Sequence, residues 1–184
     1  MTSLRPVLEA HGLAIRRVER LPVHGGSLRV HASAEGSAGD GVRQLVAEED
    51  SWGVRDPRRF VRFADAVHGL RRELHALVVG LNDSGATVAA YGAAAKGVVL
   101  ANVCDLDAAL VRFVVDRNPE KQGKLLPGVR IPVKAPEALV NERPDYCLLF
   151  AWNLADEIVA QQRHYLERGG RFVAPLPTPR VLAA

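Results

Sequence analysis

Lys96 sits in the string YGAAAKG, residues 91–97, between an apolar run (TVAAY) and a helix-like run (VVLANVC). Strand, glycine turn and helix start is the layout of a phosphate-binding loop, although the string is neither G-x-G-x-x-G nor G-x-x-x-x-G-K-[ST]. The chemistry it offers is anion binding. Free backbone N–H groups and the positive end of the helix dipole both favour phosphate at such a helix start. Tyr91 closes the strand, Gly92 permits a sharp turn, and Ala93 keeps the backbone approachable. Lys96 falls in the first helical turn, the wrong end of the dipole for a cation, and an anionic partner would explain it. The competing reading is a turn glycine and a solvated lysine.

Two further stretches add to this chemistry. In VVDRNPEKQGKLLPG, residues 114–128, Asp116 ends an apolar run about where a dinucleotide fold puts its ribose-binding acid. The cations Arg117, Lys121 and Lys124 and the amides Asn118 and Gln122 follow, a set suited to a diphosphate. A plain hydrophilic loop has the same composition, but the length of this one without apolar periodicity favours function. In FAWNLADE, residues 150–157, Trp152 offers a flat face for a base or sugar, and Asn153 offers an amide at a helix start. The bland alternatives are a core tryptophan and an N-cap.

Other chemistries find no support. Cys104 and Cys147 are far apart and form no C-x-x-C pair, so no zinc cluster is expected. There is no G-x-S-x-G elbow. The six histidines are scattered, and only His24, beside Gly25-Gly26, stands out. No residue is assigned as a catalytic base. The 184 residues are 48% hydrophobic and 24% charged, ordinary globular material with room for one α/β domain and an appendage. The formal charge of +3 suits an anionic small ligand better than nucleic acid, and aromatics at 5% are too few for stacking on single strands. The apolar runs are too short to span a membrane. Two cysteines inside apolar runs suit a reducing compartment, so a cytoplasmic location is expected.

Residues 3–11 suggest a short helix capped by Ser3, and 13–21 and 24–33 a hairpin. Residues 34–41 are a linker by composition, and 42–50 a short helix. Asp56-Pro57 opens a long helix, with Phe60, Phe63, Val67, Leu70, Leu74, Val78 and Leu81 on one apolar stripe. Beyond residue 85 the pattern becomes strand and helix in alternation. The strand candidates are 87–91, 111–116, 144–150 and the run RFVAPLP, and a helix over 152–168 separates the last two. Such alternation predicts an α/β parallel sheet of about four strands with flanking helices and right-handed crossovers. The three ligand stretches then gather on one sheet edge.

At these motifs the chain resembles the C-terminal domain of the S-adenosylmethionine-dependent sugar-nucleotide C-methyltransferases. The strings are YGAAAKG, VVDRNPEKQGKLLPG with RIPV, PDYCLLFAWNLADEI and GGRFVAPLP, in order over about residues 86–178. HGL and VERLPVHGGSLRV look like the end of that family's central methyltransferase domain. The resemblance implies three parts: 1–35 as that domain's tail, 36–85 as linker and helices, and 86–184 as a Rossmann-like nucleotide-sugar domain. It makes Tyr91, Gly92, Ala93, Lys96, Asp116, Asn118, Lys121, Gln122, Trp152 and Asn153 candidate contacts to a dTDP-type keto-deoxysugar. Ser27 and Arg29 would face the active site. The family's zinc cysteines, glycine-rich methyl-donor loop and acid/base stretch are not among these residues. Zinc and S-adenosylmethionine are therefore expected only in a fuller enzyme, and this chain alone is expected to be inactive. Two alternatives stand beside this: an NAD(P)-binding oxidoreductase module, and the partner subunit of a split methyltransferase. The exposed hairpin edge predicts self-association.

Overall fold

The computed structural model describes residues 1–23 and 26–182. His24 and Gly25 lie outside the described residues. Two compact units divide between Asp65 and Ala66. In the first, helix α1 (Leu4–Glu9) precedes strands β1 (Ala14–Leu21) and β2 (Ser27–Ser33), and helix α2 (Asp40–Trp52) follows. The expected hairpin is present, antiparallel, with Val18 opposite Val30 and Glu19 opposite Arg29. A small core of Met1, Ile15, Val42 and Leu45 joins these elements. Two local readings change. Ser3 makes no side-chain cap, and α2 begins two residues earlier than its apolar pattern, at Asp40, taking in part of the linker.

Helix α3 (Pro57–Asp83) begins where the Asp56-Pro57 pair predicts. Asp56 Oδ1 accepts the Arg58 N–H at 3.0 Å, the N-cap bond that satisfies an orphan donor. Its apolar stripe is only half used. Leu74 and Val78 are buried, whereas Phe60 and Phe63 remain 56% and 68% exposed.

The second unit carries the sheet. In chain order the elements are β3 (Val88–Tyr91), α4 (Ala95–Val103), β4 (Val114–Val115), β5 (Val133–Lys134), α5 (Ala138–Glu142) and β6 (Tyr146–Leu149). Then come α6 (Ala155–Gln161), α7 (Arg163–Glu167), β7 (Arg171–Ala174) and β8 (Arg180–Val181). The six strands lie in the order β5-β4-β3-β6-β7-β8. All neighbours are parallel except β7 and β8. This is the Rossmann-like α/β arrangement, with six strands in place of about four. Strands β5 and β8 are additions, each of two residues. The expected strand over 111–116 shrinks to Val114–Val115, although Val111 and Phe113 are still fully buried. The helix over 152–168 breaks into a 3-10 turn (Trp152–Leu154), α6 and α7.

Both faces of the sheet are covered, so β3 reads as the unbroken apolar run VAAY, every residue buried. Alternation along the strand assigns the faces. Val88 and Ala90 pack with Leu74, Val78 and Leu100, from α3 and α4. Ala89 and Tyr91 pack with Leu139, Ile158 and Tyr165, from α5, α6 and α7. No described helix is long and apolar enough to cross a membrane.

Candidate functional site

The order of strands reverses between β3 and β6: the chain runs outward from β3 to β4 and β5, then returns to pair β6 on the other edge of β3. In open parallel sheets, ligands bind beyond the carboxyl ends of the strands at such a point. Two glycines let the loops there meet. Gly92 has φ +102°, and a Cβ on it would lie 2.8 Å from the Ala151 Cβ. A Cβ on Gly97 would lie 2.7 Å from the Phe150 Cβ. The loop after β3 thus packs directly on the loop after β6, and Ala151 N–H donates to Tyr91 O at 3.2 Å.

That packing brings together Lys96, Trp152 and Asn153. Lys96 Nζ donates to Asn153 Oδ1 and stands 4.9 Å from the centre of the Trp152 ring. Asn153 lies inside the 3-10 turn, one residue before the α6 N-cap, so it is not the cap of α6. Trp152 is half-buried against the α3–α4 face. Helix α4 has no side-chain cap and no acid in its first turn. A lysine there loses about 0.3–1 kcal/mol to the helix dipole, while a cation–π contact returns about 0.5–1 kcal/mol. The two nearly cancel, which leaves a positioned, half-exposed cation beside free helix N–H groups.

Asp116 behaves differently. It is buried, 9% exposed. Its Oδ2 accepts Ala93 N–H at 2.8 Å and Lys121 Nζ at 3.1 Å, and its Oδ1 accepts Asn118 N–H at 2.8 Å. Gln122 donates its amide to Asp116 O at 3.0 Å, and Asn118 Oδ1 caps Glu120 N–H at 3.0 Å. Asp116, Asn118, Lys121 and Gln122 therefore fasten the β4 loop to itself and to the β3 loop. The loop's length has a structural use that composition did not reveal.

Tyr91 points to the opposite face from Lys96. Beside it a cleft of about 190 Å³ is lined by Gly92, Ala94, Arg117, Leu154 and Ile158 among others. A second hollow of about 460 Å³ shares Tyr91, Arg117 and Gln161 and adds Pro136, Glu137 and Gln162. Burial pushes the Tyr91 phenol's pKa up, and the nearby Arg117 cation and Gln162 amide offset this in part. Leu154, Gln161 and Gln162 are the residues not selected from sequence, whereas Arg117 was named there among the diphosphate cations; nothing in α6 marks Gln161. Another depression, about 360 Å³, lies at the opposite, amino-terminal edge among Ser84, Gly85, Asp145 and Arg171, away from this chemistry.

Ser27 and Arg29 belong to the first unit. Ser27 Oγ donates to Val23 O at 3.0 Å, and Arg29 pairs with Glu19 at 3.5 Å. Among the described residues no group of three His, Cys, Asp or Glu could hold a metal. Both cysteines are fully buried. Burial lifts the Cys104 thiol's pKa to about 11 and pushes that of Cys147 higher still.

Residues 22–177 match the family described as the C-methyltransferase C-terminal domain. The chain belongs to this family. It is also 43% identical over 185 residues to the C-methyltransferase NovU of Streptomyces niveus, covering 99% of this chain and 44% of NovU. The chain thus spans less than half the length of that relative. As a C-methyltransferase C-terminal domain, it carries the candidate groups on the loops after β3, β4 and β6.

Proposed function

We propose that this chain forms the substrate-binding part of an S-adenosylmethionine-dependent C-methyltransferase acting on a nucleotide-activated, dTDP-type keto-deoxysugar in the cytoplasm. The observation that carries this is the meeting of Lys96, Trp152 and Asn153 beside the uncapped start of α4, at the sheet's switch point. A diphosphate there would receive helix N–H groups and the ammonium of Lys96, exchanging the neutral Asn153 partner for a charged one. Trp152 would supply a flat wall. Methylation of carbon beside a ketone needs an enolate and an electrophilic methyl group, and no residue here is assigned either task. The described residues do not fit a zinc site, and no loop here has the glycine pattern of a methyl-donor site. The contribution of this chain is to hold and orient the substrate.

The reading is tested by titrating the chain with dTDP and NADH side by side. Binding of dTDP and not NADH is expected. Lys96→Ala should weaken dTDP by about ten- to a hundredfold, the value of one charge-assisted hydrogen bond. Tight NADH binding without dTDP binding would point to an oxidoreductase module instead. The Asp116 carboxylate already accepts three hydrogen bonds within the β3 and β4 loops, which favours a fastening role over that of a ribose acid. Methyl transfer by these residues alone would refute the binding-only role.

A further inference from the structure

The edge of the sheet opposite the ligand loops carries a charge pattern that those loops do not use. Alternating strands and helices bring four arginines to the amino-terminal ends of neighbouring strands. Arg112 stands two residues before β4, Arg143 three before β6, Arg168 three before β7, and Arg171 opens β7. In the order β4-β3-β6-β7 they span three interstrand gaps, roughly 14 Å. All four are exposed. At the carboxyl edge, Arg117 and Lys121 have acid partners in Glu157 and Asp116. None of these four arginines has an acid partner among the described residues, and three nearby acids are already engaged. Glu142 pairs with Lys134 at 2.6 Å, and Glu167 with His164 at 3.1 Å. Asp145 Oδ2 accepts the Thr87 N–H at 2.7 Å and the Thr87 hydroxyl at 2.8 Å.

Two of the arginines are held rather than loosely solvated. Arg171 lies over Tyr146, 5.9 Å from its ring centre, and donates to its hydroxyl at 3.4 Å. Arg143 closes α5 in the left-handed region, at φ +48°, where a glycine would cost less. An exposed arginine kept in a strained conformation without an acid is explained by a use for its guanidinium. Between the arginines the surface sinks. A depression of about 360 Å³ lined by Ser84, Tyr146 and Arg171 adjoins a smaller hollow of about 60 Å³ lined by Arg143 and Arg168, and the two share Asp145 and Gly169.

The charge pattern selects the occupant. Guanidinium forks pair with carboxylates and phosphates alike. A single phosphate is too small to meet arginines on both sides of the depression. A continuous phosphate backbone or an anionic lipid surface would press negative charge on Asp145, whose carboxyl is held low by the Thr87 donors and, in smaller part, by the Arg112 cation. An extended polypeptide avoids that conflict. Its side-chain carboxylates can meet the arginines while a backbone N–H turns to Asp145, because a carboxylate has about four acceptor sites and Thr87 takes two.

We infer that this edge, anchored by Arg143, Arg168 and Arg171, docks an extended acidic segment of a partner polypeptide. A partner held there sits on the opposite edge from the loops after β3, β4 and β6, so it leaves the candidate ligand site open. The charges are exposed, so their attraction mainly steers the encounter and is screened by salt.

The test is fluorescence anisotropy of a short labelled peptide of alternating glutamate and serine, titrated with the 184-residue chain. Short duplex DNA and phosphatidylglycerol vesicles are titrated alongside. The peptide should bind more tightly than either, and should weaken about fivefold or more from low to physiological salt. Arg143→Gly and Arg168→Ser should each weaken the peptide about threefold, and the double variant about tenfold. Arg72→Ser removes the same charge from an exposed position about three turns before the end of α3, and should bind the peptide as wild type does. Arg143→Gly relieves the left-handed backbone, so its melting temperature should be unchanged or higher, which separates a binding defect from misfolding. All these variants should bind dTDP as wild type does, so the nucleotide reading is judged separately. No peptide binding, an equal loss in Arg72→Ser, or no loss in the double variant overturns the docking surface. Tighter binding of DNA or vesicles than of the peptide, lost in the double variant, overturns the assignment of an acidic polypeptide.

Discussion

Replacing Asp116 by asparagine keeps the shape of the side chain and removes its charge. Two backbone N–H groups donate to the carboxylate at 2.8 Å, from Ala93 and Asn118, and Lys121 donates at 3.1 Å. Asparagine keeps one acceptor oxygen. Whichever way it turns, one backbone N–H faces an amide N–H. The variant loses a charge-assisted bond and leaves a buried donor unpaired, together about 2–4 kcal/mol. The ion pair adds up to about 1 kcal/mol, since the Lys121 side chain is 39% exposed. A total near 2–5 kcal/mol corresponds to a fall of roughly 5–20 °C in the melting temperature of a domain this size. Scanning calorimetry of the wild type and Asp116→Asn measures it, with Lys121→Met as the control that loses only the ion pair. The control should cost no more than about 1 kcal/mol. If Asp116→Asn melts within a few degrees of wild type but loses dTDP binding, the carboxylate serves the ligand, and the account of it as a loop fastener is wrong.

Three other outcomes are expected. Gly92→Ala places a Cβ 2.8 Å from that of Ala151 at φ +102°, so it should destabilise by about 2–4 kcal/mol and weaken dTDP by parting the two loops, as read by thermal melting and titration. Neither cysteine should react with a thiol reagent in the native state, since both are fully buried with raised pKa values; labelling should appear only with denaturant. Asp145 accepts both the N–H and the hydroxyl of Thr87, and these bonds hold its carboxyl below the usual aspartate range. A depressed acid stabilises fully above its unfolded pKa, so this contribution is present above about pH 4. It is lost as the pH falls through the lower folded value. Urea melts of the wild type should weaken in that window, and those of Asp145→Asn should change less.

How legible the fold was depended on how far each element spoke for itself. VAAY and YCLL announced β3 and β6 because a strand buried on both faces is an unbroken apolar run. Strands β5 and β8 are two residues each and too short to show any period. In 111–116 the apolar pattern was real, since Val111 and Phe113 are buried, but burial there is achieved outside the strand. Phe60 and Phe63 kept the helical period of α3 without being covered. Periodicity reports which side chains share a face, not what lies against them.

For the site, the divide follows contact distance along the chain. Lys96, Trp152 and Asn153 could be selected because each stands just after a strand, and parallel strands deliver such residues to a common edge. The role of Asp116 could not be selected in this way. Its partner Ala93 lies 23 residues earlier, and only that contact distinguishes a loop fastener from a ribose acid. Tyr91 shows the same limit at finer scale. One step along a strand reverses the face, so Tyr91 and the loop that begins at Gly92 serve opposite sides of one sheet edge. Gly92 and Ala151 pack closely where those two sides meet, so a side chain added at Gly92 should part the loops and disturb dTDP binding with them.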